Sequence, residues 1–138
     1  MSETVLGRYL IEKELGRGGM GVVLKAWDTK LDCAVALKSV LPEFAQDEGA
    51  RRRILREART AASLDHPYVC RIFDTVESGN DLYVVMEYCE GQTLEQPGLK
   101  VEEVVRAGVE IAEALEDAHA KGIVHRDLKP GNIMRTRS

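Results

Sequence analysis

The sequence predicts an α+β fold, in which an antiparallel sheet carries one early helix and a second, longer helix follows. Short apolar runs separated by turn residues fill 9–40 and 69–88, which is typical of strands joined by hairpins. In 47–64 and 101–118 the apolar residues instead recur at helical spacing. Strands grouped with a single early helix favour an antiparallel sheet over alternating parallel units.

The first forty residues predict three strands, at 9–14, 22–27 and 34–40. A cluster of glycines ends the first strand and separates it from the second. The polar turn Asp-Thr-Lys separates the second strand from the third, which ends at Pro42. The glycine cluster therefore lies in a hairpin between two strands.

A helix, a second hairpin and a longer helix follow in the sequence. In 47–64, apolar residues line one helical face and arginines line another. Strands at 69–76 and 82–88 are joined by Ser-Gly-Asn-Asp, which is a strong hairpin signal. The apolar stripe of 101–118 predicts a long amphipathic helix with Gly122 as its C-cap.

Composition excludes several classes of function. The chain has 138 residues, of which 44% are hydrophobic and 30% charged, as in a soluble globular fold. Its net charge of −4 argues against a nucleic-acid partner. The sequence has no signal peptide and no run of about 18 apolar residues, and its cysteines lack CxxC spacing. We therefore predict a cytoplasmic protein with reduced thiols, no nucleic-acid partner and no membrane segment.

The first chemical motif is Gly16-x-Gly18-x-x-Gly21, placed between two strands. A dinucleotide-binding fingerprint would need a helix after the glycines, so that reading is disfavoured. Between strands, glycines let backbone N–H groups fold over phosphates without a Cβ in the way. Taken alone, the motif is equally compatible with an ordinary glycine-rich turn.

The second motif pairs a lysine with a glutamate. Lys38 ends the apolar run Val-Ala-Leu-Lys, on a strand that can lie beside the glycine hairpin. An ammonium group there would meet phosphates as a point charge, although most such lysines are simply exposed. Glu57, on the early helix, is the favoured carboxylate to hold it, although most helix glutamates are solvated.

The third motif is the loop His-Arg-Asp-Leu-Lys-Pro-Gly-Asn, which follows the long helix. Asp127 in this loop can accept the proton of a substrate hydroxyl during phosphoryl transfer. Asn132, five residues later, can offer an amide oxygen to Mg²⁺. The alternative is a polar loop closed by proline, and three motifs in this order make it improbable.

Together these motifs resemble those of the eukaryotic-like Ser/Thr protein kinases of bacteria, from Tyr9 onward. Gly-Arg-Gly-Gly-Met-Gly, with Met20 at the loop tip, is similar to the glycine loop of that branch. The resemblance implies one partial, truncated kinase domain over 1–138. About 9–89 would form the N-lobe and hinge, an antiparallel sheet plus one helix, and about 90–138 would begin the helical C-lobe.

The resemblance also implies an ATP site. The glycines would cover the phosphates, and Lys38, anchored by Glu57, would contact them. Apolar side chains would sandwich the adenine, Met86 would be the gatekeeper, and backbone groups of the hinge would bind the adenine edge. The residues expected to contact ATP are Leu15, Gly16, Gly18, Gly21, Val23, Ala36, Lys38, Glu57, Met86, Glu87 and Cys89.

Three catalytic roles follow from the same resemblance. Asp127 would be the catalytic base, Lys129 would assist at the γ-phosphate, and Asn132 would be the metal ligand. Arg126 resembles the arginine of kinases whose activation loop is controlled by phosphorylation. Cys89 is interpreted as a small apolar hinge residue rather than a redox switch.

Two departures from the family pattern bear on activity. The segment after the hinge is short, and Pro97 and Gly98 make a helix there improbable. Residues 133–138 are predicted to be the first strand of a hairpin whose partner is absent. Asp-Phe-Gly, which supplies a second Mg²⁺-binding carboxylate in the family, does not occur in the sequence.

The leading interpretation is ATP-dependent phosphorylation of Ser/Thr hydroxyls on a protein substrate, with the 138 residues alone an inactive fragment. The alternative is a non-catalytic, pseudokinase-like module that binds nucleotide or a partner. A small-molecule phosphotransferase is disfavoured by the context Arg-Asp-Leu-Lys-Pro. The apolar stripe of the long helix is expected to favour self-association.

Overall fold

The computed structural model describes four segments of the chain, 4–18, 21–93, 100–122 and 134–136. The chain divides into two compact units. The first unit consists of Met1–Ser63 and Arg71–Tyr88, and the second consists of Leu64–Cys70 and Cys89–Ser138.

The first unit contains a six-stranded antiparallel sheet, whose strands are β1 (Thr4–Val5), β2 (Tyr9–Gly18), β3 (Gly21–Asp28), β4 (Cys33–Val40), β5 (Ile72–Ser78) and β6 (Asp81–Glu87). Their order across the sheet is β1-β2-β3-β4-β6-β5. The predicted antiparallel sheet is thus confirmed. The two-residue β1 was not predicted, because so short a strand has no readable alternation.

The first glycines of the cluster continue β2 rather than break it. Gly16 pairs with Val23, and Gly18 pairs with Gly21, across the β2–β3 ladder. Ladder hydrogen bonds use only backbone groups, so a glycine can take part in them despite its low strand propensity. The strand predicted to stop at residue 14 therefore reaches Gly18.

A buried carboxylate fixes the turn between β3 and β4. Asp28 is 1% exposed, and it accepts two hydrogen bonds from the Arg8 guanidinium, at 2.8 and 2.7 Å. The same carboxylate accepts from the backbone N–H groups of Lys30 and Leu31. The Arg8 guanidinium also lies 4.9 Å from the centre of the Tyr9 ring. These contacts tie the start of β2 to the end of β3.

The two faces of the sheet carry separate apolar clusters, because side chains alternate along each strand. One face holds the main core, which includes Tyr9, Leu37 and Val85. The other face holds Val40 and Leu82, which pack with two helices. These helices are α1 (Pro42–Ala45), which was not predicted, and α2 (Glu48–Ala62), which was.

Helix α2 docks on the sheet through its apolar face. Ile54 and Leu55 pack against the cluster of Val40 and Leu82. The helix begins at an Asp47 N-cap, whose carboxylate accepts a hydrogen bond from the Ala50 N–H at 3.2 Å.

The second unit contains a helix and a small sheet. The predicted helix is confirmed as α3 (Val101–Ala120). Its C-cap is Lys121 rather than the predicted Gly122, which follows directly with φ of +79°. The strand at the chain end was predicted to lack a partner, and that prediction is wrong. Strand β8 (Met134–Thr136) pairs antiparallel with β7 (Gly91–Thr93). Pro97 and Gly98 lie outside the described residues.

Four valines of α3 are exposed. They lie in its first half, and each is between 54% and 76% exposed. Within the described part of the chain, no helix is long and apolar enough to cross a bilayer. The exposed valines are Val101, Val104, Val105 and Val109.

Candidate functional site

The three glycines of the Gly16-x-Gly18-x-x-Gly21 motif differ in their surroundings. Gly21 has φ of +152°, and a Cβ on it would overlap the Ser39 carbonyl oxygen of β4. Among the residues that the structure describes, no heavy atom lies within 4 Å of a Cβ built on Gly16 or Gly18. Gly21 is therefore required by the close approach of β3 to β4, whereas Gly16 and Gly18 leave open space over the hairpin. Gly19 and Met20 lie outside the described residues.

The sheet places four of the predicted ATP-contacting residues on one face. Lys38 of β4 lies opposite Val23 of β3, and Ala36 lies opposite Met86 of β6. Residues two apart on a strand point the same way, so these four side chains share a face. Ala36 is buried at 6% exposure, and the other three are half-buried. Leu15, near the hairpin, is 42% exposed.

The face that carries Lys38 is also the face on which α2 packs. Val40 lies two residues beyond Lys38 on β4 and contacts the α2 cluster. Among the residues that the structure describes, however, no ion pair within 4.0 Å joins Lys38 to Glu57. Glu57 is exposed, while its neighbour Ala58 is buried. The predicted ion pair is therefore not formed in this structure.

Glu87, at the end of β6, is held by Arg71, the residue just before β5. Its N–H donates to the Arg71 carbonyl at 2.8 Å, and its carboxylate accepts from the Arg71 N–H at 3.2 Å. A contribution of Glu87 to adenine binding would therefore come from its carbonyl. Cys89 belongs to the second unit.

A cation that the sequence reasoning missed lies in the same row of side chains. Lys25 of β3 is opposite Ala36, and its Nζ lies 4.7 Å from the centre of the Tyr88 ring. The Nζ is also 3.5 Å from a Glu12 carboxylate oxygen. Alternation along β3 from Val23 was the signal that could have identified Lys25.

The catalytic-loop residues Asp127, Lys129 and Asn132 lie outside the described residues. Their roles therefore stay predictions from the sequence motif.

The chain is similar to known protein kinases along nearly its whole length. It is 40% identical over 139 residues to the serine/threonine-protein kinase PrkC of Bacillus subtilis, and the match covers 97% of this chain and 22% of PrkC. It is 38% identical over 144 residues to the serine/threonine-protein kinase PksC of Streptomyces coelicolor, covering 95% of this chain and 26% of PksC. The chain thus spans about a fifth to a quarter of the length of the curated relatives it matches.

A solved structure has the same fold. The crystal structure of the PknI kinase domain of Mycobacterium tuberculosis matches with a TM-score of 0.80 and 33% sequence identity. That match covers 94% of this chain and 55% of the PknI chain. The fold described above is accordingly a kinase-like N-lobe with the beginning of the C-lobe. The protein kinase domain family matches residues 9–138, and this chain belongs to that family, in its bacterial eukaryotic-like Ser/Thr branch.

Proposed function

We propose that this chain carries the ATP-binding half of a protein kinase catalytic site that phosphorylates Ser/Thr hydroxyls on a protein substrate. The observation that carries the proposal is the shared sheet face of Val23, Ala36, Lys38 and Met86. Membership of the kinase family supports the same reaction class, because its members use ATP and Mg²⁺.

The described residues fit a bound nucleotide. The open space over Gly16 and Gly18 leaves room for phosphates at the hairpin, where backbone N–H groups can approach them. Lys38 supplies a half-buried cation on the face below. Ala36 and Val23 offer the apolar surface that an adenine ring needs.

Magnesium would be held by residues of the catalytic loop. The amide oxygen of Asn132 is a hard oxygen donor of the kind that Mg²⁺ prefers. The ion would neutralise charge between the phosphate groups. Asp127 would orient the substrate hydroxyl and accept its proton, and Lys129 would bring a second positive charge to the γ-phosphate. These three roles rest on the sequence motif.

Residues 1–138 by themselves are proposed to bind nucleotide weakly and to transfer no phosphoryl group. Within these residues Asn132 is the only metal ligand supplied by a kinase motif, because Asp-Phe-Gly does not occur. Phosphoryl transfer depends on metal ions that bridge the phosphates and on a positioned acceptor. Labelled ATP, Mg²⁺ and a basic protein substrate provide the assay, and label transfer that disappears in Asp127→Asn would contradict this proposal.

The catalytic role is tested in a longer chain in which an Asp-Phe-Gly segment follows residue 138. There, Asp127→Asn is expected to lower turnover by about 10²- to 10⁴-fold, the contribution of a general base. Nucleotide affinity should persist, because the carboxylate acts chiefly in the transition state. Equal losses of turnover and of nucleotide affinity would count against the role.

A non-catalytic binding module is the second candidate function. The observation that favours it is the missing ion pair between Lys38 and Glu57, which active kinases require. If this candidate is correct, the longer chain will bind nucleotide but will show no turnover that depends on Asp127.

A further inference from the structure

Cys70 and Cys89 bring two thiols together in the second unit. The Cys89 thiol donates a hydrogen bond to the Cys70 sulfur, and the two Sγ atoms are 3.6 Å apart. Cys70 is exposed and Cys89 is half-buried, and no disulfide joins them in this structure. A small oxidant therefore has access to the pair.

This proximity cannot be read from the sequence, because the two cysteines are 19 residues apart and lack CxxC spacing. In the first unit, the backbone bond from Glu87 to Arg71 marks the end of the β5–β6 pairing. Cys70 directly precedes Arg71 in the sequence, and Cys89 comes two residues after Glu87. Each cysteine is therefore only one or two residues along the chain from a member of this hydrogen-bonded pair. For Cys89 the sequence alone favoured a small apolar role, and the neighbouring sulfur changes that interpretation.

We propose that Cys70 and Cys89 form a reversible disulfide when the protein meets a peroxide or a small-molecule disulfide. With hydrogen peroxide, one thiol loses its proton, and the thiolate attacks an oxygen, becomes a sulfenic acid and releases hydroxide, which takes up that proton to give water. The second thiol then attacks that sulfur, which forms the S–S bond and releases a second water. The two thiols lose two electrons and two protons in total, and one peroxide accepts them.

The geometry requires only a small movement. A disulfide bond is about 2.05 Å long, so the sulfurs must approach by about 1.5 Å. Rotation of one cysteine about its Cα–Cβ bond moves its sulfur by that order. The disulfide would tie Cys89 to the loop that ends at Cys70. Cys89 is also a residue expected to bind adenine through its backbone, so we infer that oxidation weakens nucleotide binding. That consequence rests on the proposed function.

Equilibration of residues 1–138 in glutathione redox buffers tests the disulfide itself. A metal chelator is present, and the protein is dilute enough to remain monomeric. Peptide mapping by mass spectrometry should find Cys70 and Cys89 in one crosslinked species, and dithiothreitol should reverse it. The control is Cys33→Ser, which replaces an exposed thiol at the start of β4. The crosslink should form in this variant as in wild type, because the contact between thiols joins Cys70 to Cys89.

Cys70→Ser and Cys89→Ser should each abolish the crosslink and leave a mixed glutathione disulfide on the remaining cysteine. Separate glutathione adducts on both wild-type cysteines, with no crosslink, would overturn the proposal. Crosslinks that need Cys33 would do the same.

Nucleotide titration of the oxidised and reduced chain tests the consequence. Oxidation should weaken Mg-ATP binding by about fivefold to tenfold in wild type. This is the change in affinity expected when one hydrogen bond to the nucleotide is lost. Dithiothreitol should restore the affinity of the wild-type chain as it removes the crosslink. Equal affinity of the crosslinked and reduced wild-type chain would contradict the consequence. A reduced chain without nucleotide affinity would count against the proposed function instead, because the peptide map reports on the disulfide independently.

Discussion

Gly21 has a steric role in the fold that Gly16 and Gly18 do not share. The sequence places three equivalent glycines in the loop, and the structure makes only Gly21 sterically indispensable among those it describes. The positive φ and the nearby Ser39 carbonyl depend on how β3 meets β4. Spacing along the chain cannot report such a contact.

Gly21→Ala is therefore expected to destabilise the fold by about 3 kcal/mol, because the new Cβ meets rigid backbone at a φ that L-residues avoid. Gly18→Ala is the matched control, with no atom near its new Cβ, and should change the free energy of unfolding by less than about 1 kcal/mol. Urea denaturation followed by circular dichroism measures both. Similar losses in the two variants would contradict the steric account.

Asp28 makes the stability of the sheet sensitive to acid. The hydrogen bonds from Arg8, aided by the N–H groups of Leu31 and Lys30 and opposed by burial, lower the pKa of the Asp28 carboxyl from 3.8 to about 2. The folded state thus holds its proton less tightly than the unfolded state. The resulting stabilisation is complete above about pH 4 and is lost as the pH falls from 4 toward 2.

Asp28→Asn should cost about 2 kcal/mol of unfolding free energy at pH 7, and the cost should vanish near pH 2. Asp32→Asn is the control, because Asp32 is exposed in the same turn and accepts from the Trp27 indole, as an amide oxygen also can. Thermal unfolding of both variants across this pH range is the measurement. A cost that does not change with pH would show that the ion pair is not its source.

Among the helices and strands, the spacing of apolar residues predicted those that bury one regular face. The β3–β4 pair and helices α2 and α3 were all predicted in the sequence within a few residues. The short pairing of β7 with β8 was not, because three-residue strands far apart in the chain carry no alternation. The Lys38–Glu57 ion pair was expected from the motif pattern, whereas in the structure Glu57 is exposed and its neighbour Ala58 is buried.

The exposed valines of α3 lead to an association prediction. Val104→Lys combined with Val109→Lys should raise the concentration at which the chain self-associates by about tenfold or more, because two apolar side chains leave the contact surface. Glu102→Lys is the matched control, since it changes the net charge of −4 by the same amount on the same helix. Sedimentation velocity over a range of concentrations measures this. An equal rise of the self-association concentration in the control would show that charge, and not loss of the apolar side chains, is the cause.

At the scale of the whole molecule, the family and the α+β architecture followed from three short motifs and from periodicity. The residues of the sheet that are expected to contact ATP were predicted individually, and strand register brings Val23, Ala36, Lys38 and Met86 to one face. The catalytic residues lie outside the described part of the chain. The proposed function thus depends on nucleotide binding at this sheet face.

Nuclear magnetic resonance titration of residues 1–138 with Mg-ATP tests whether the nucleotide binds at this face. We expect saturable shifts of the backbone amides of Val23, Ala36 and Met86. Lys38→Met should weaken binding by about tenfold, the worth of a charge-assisted hydrogen bond. Lys30→Met, an exposed lysine in the β3–β4 turn, should bind as wild type does. Shifts confined to another surface, or equal affinities for wild type and Lys38→Met, would contradict the account.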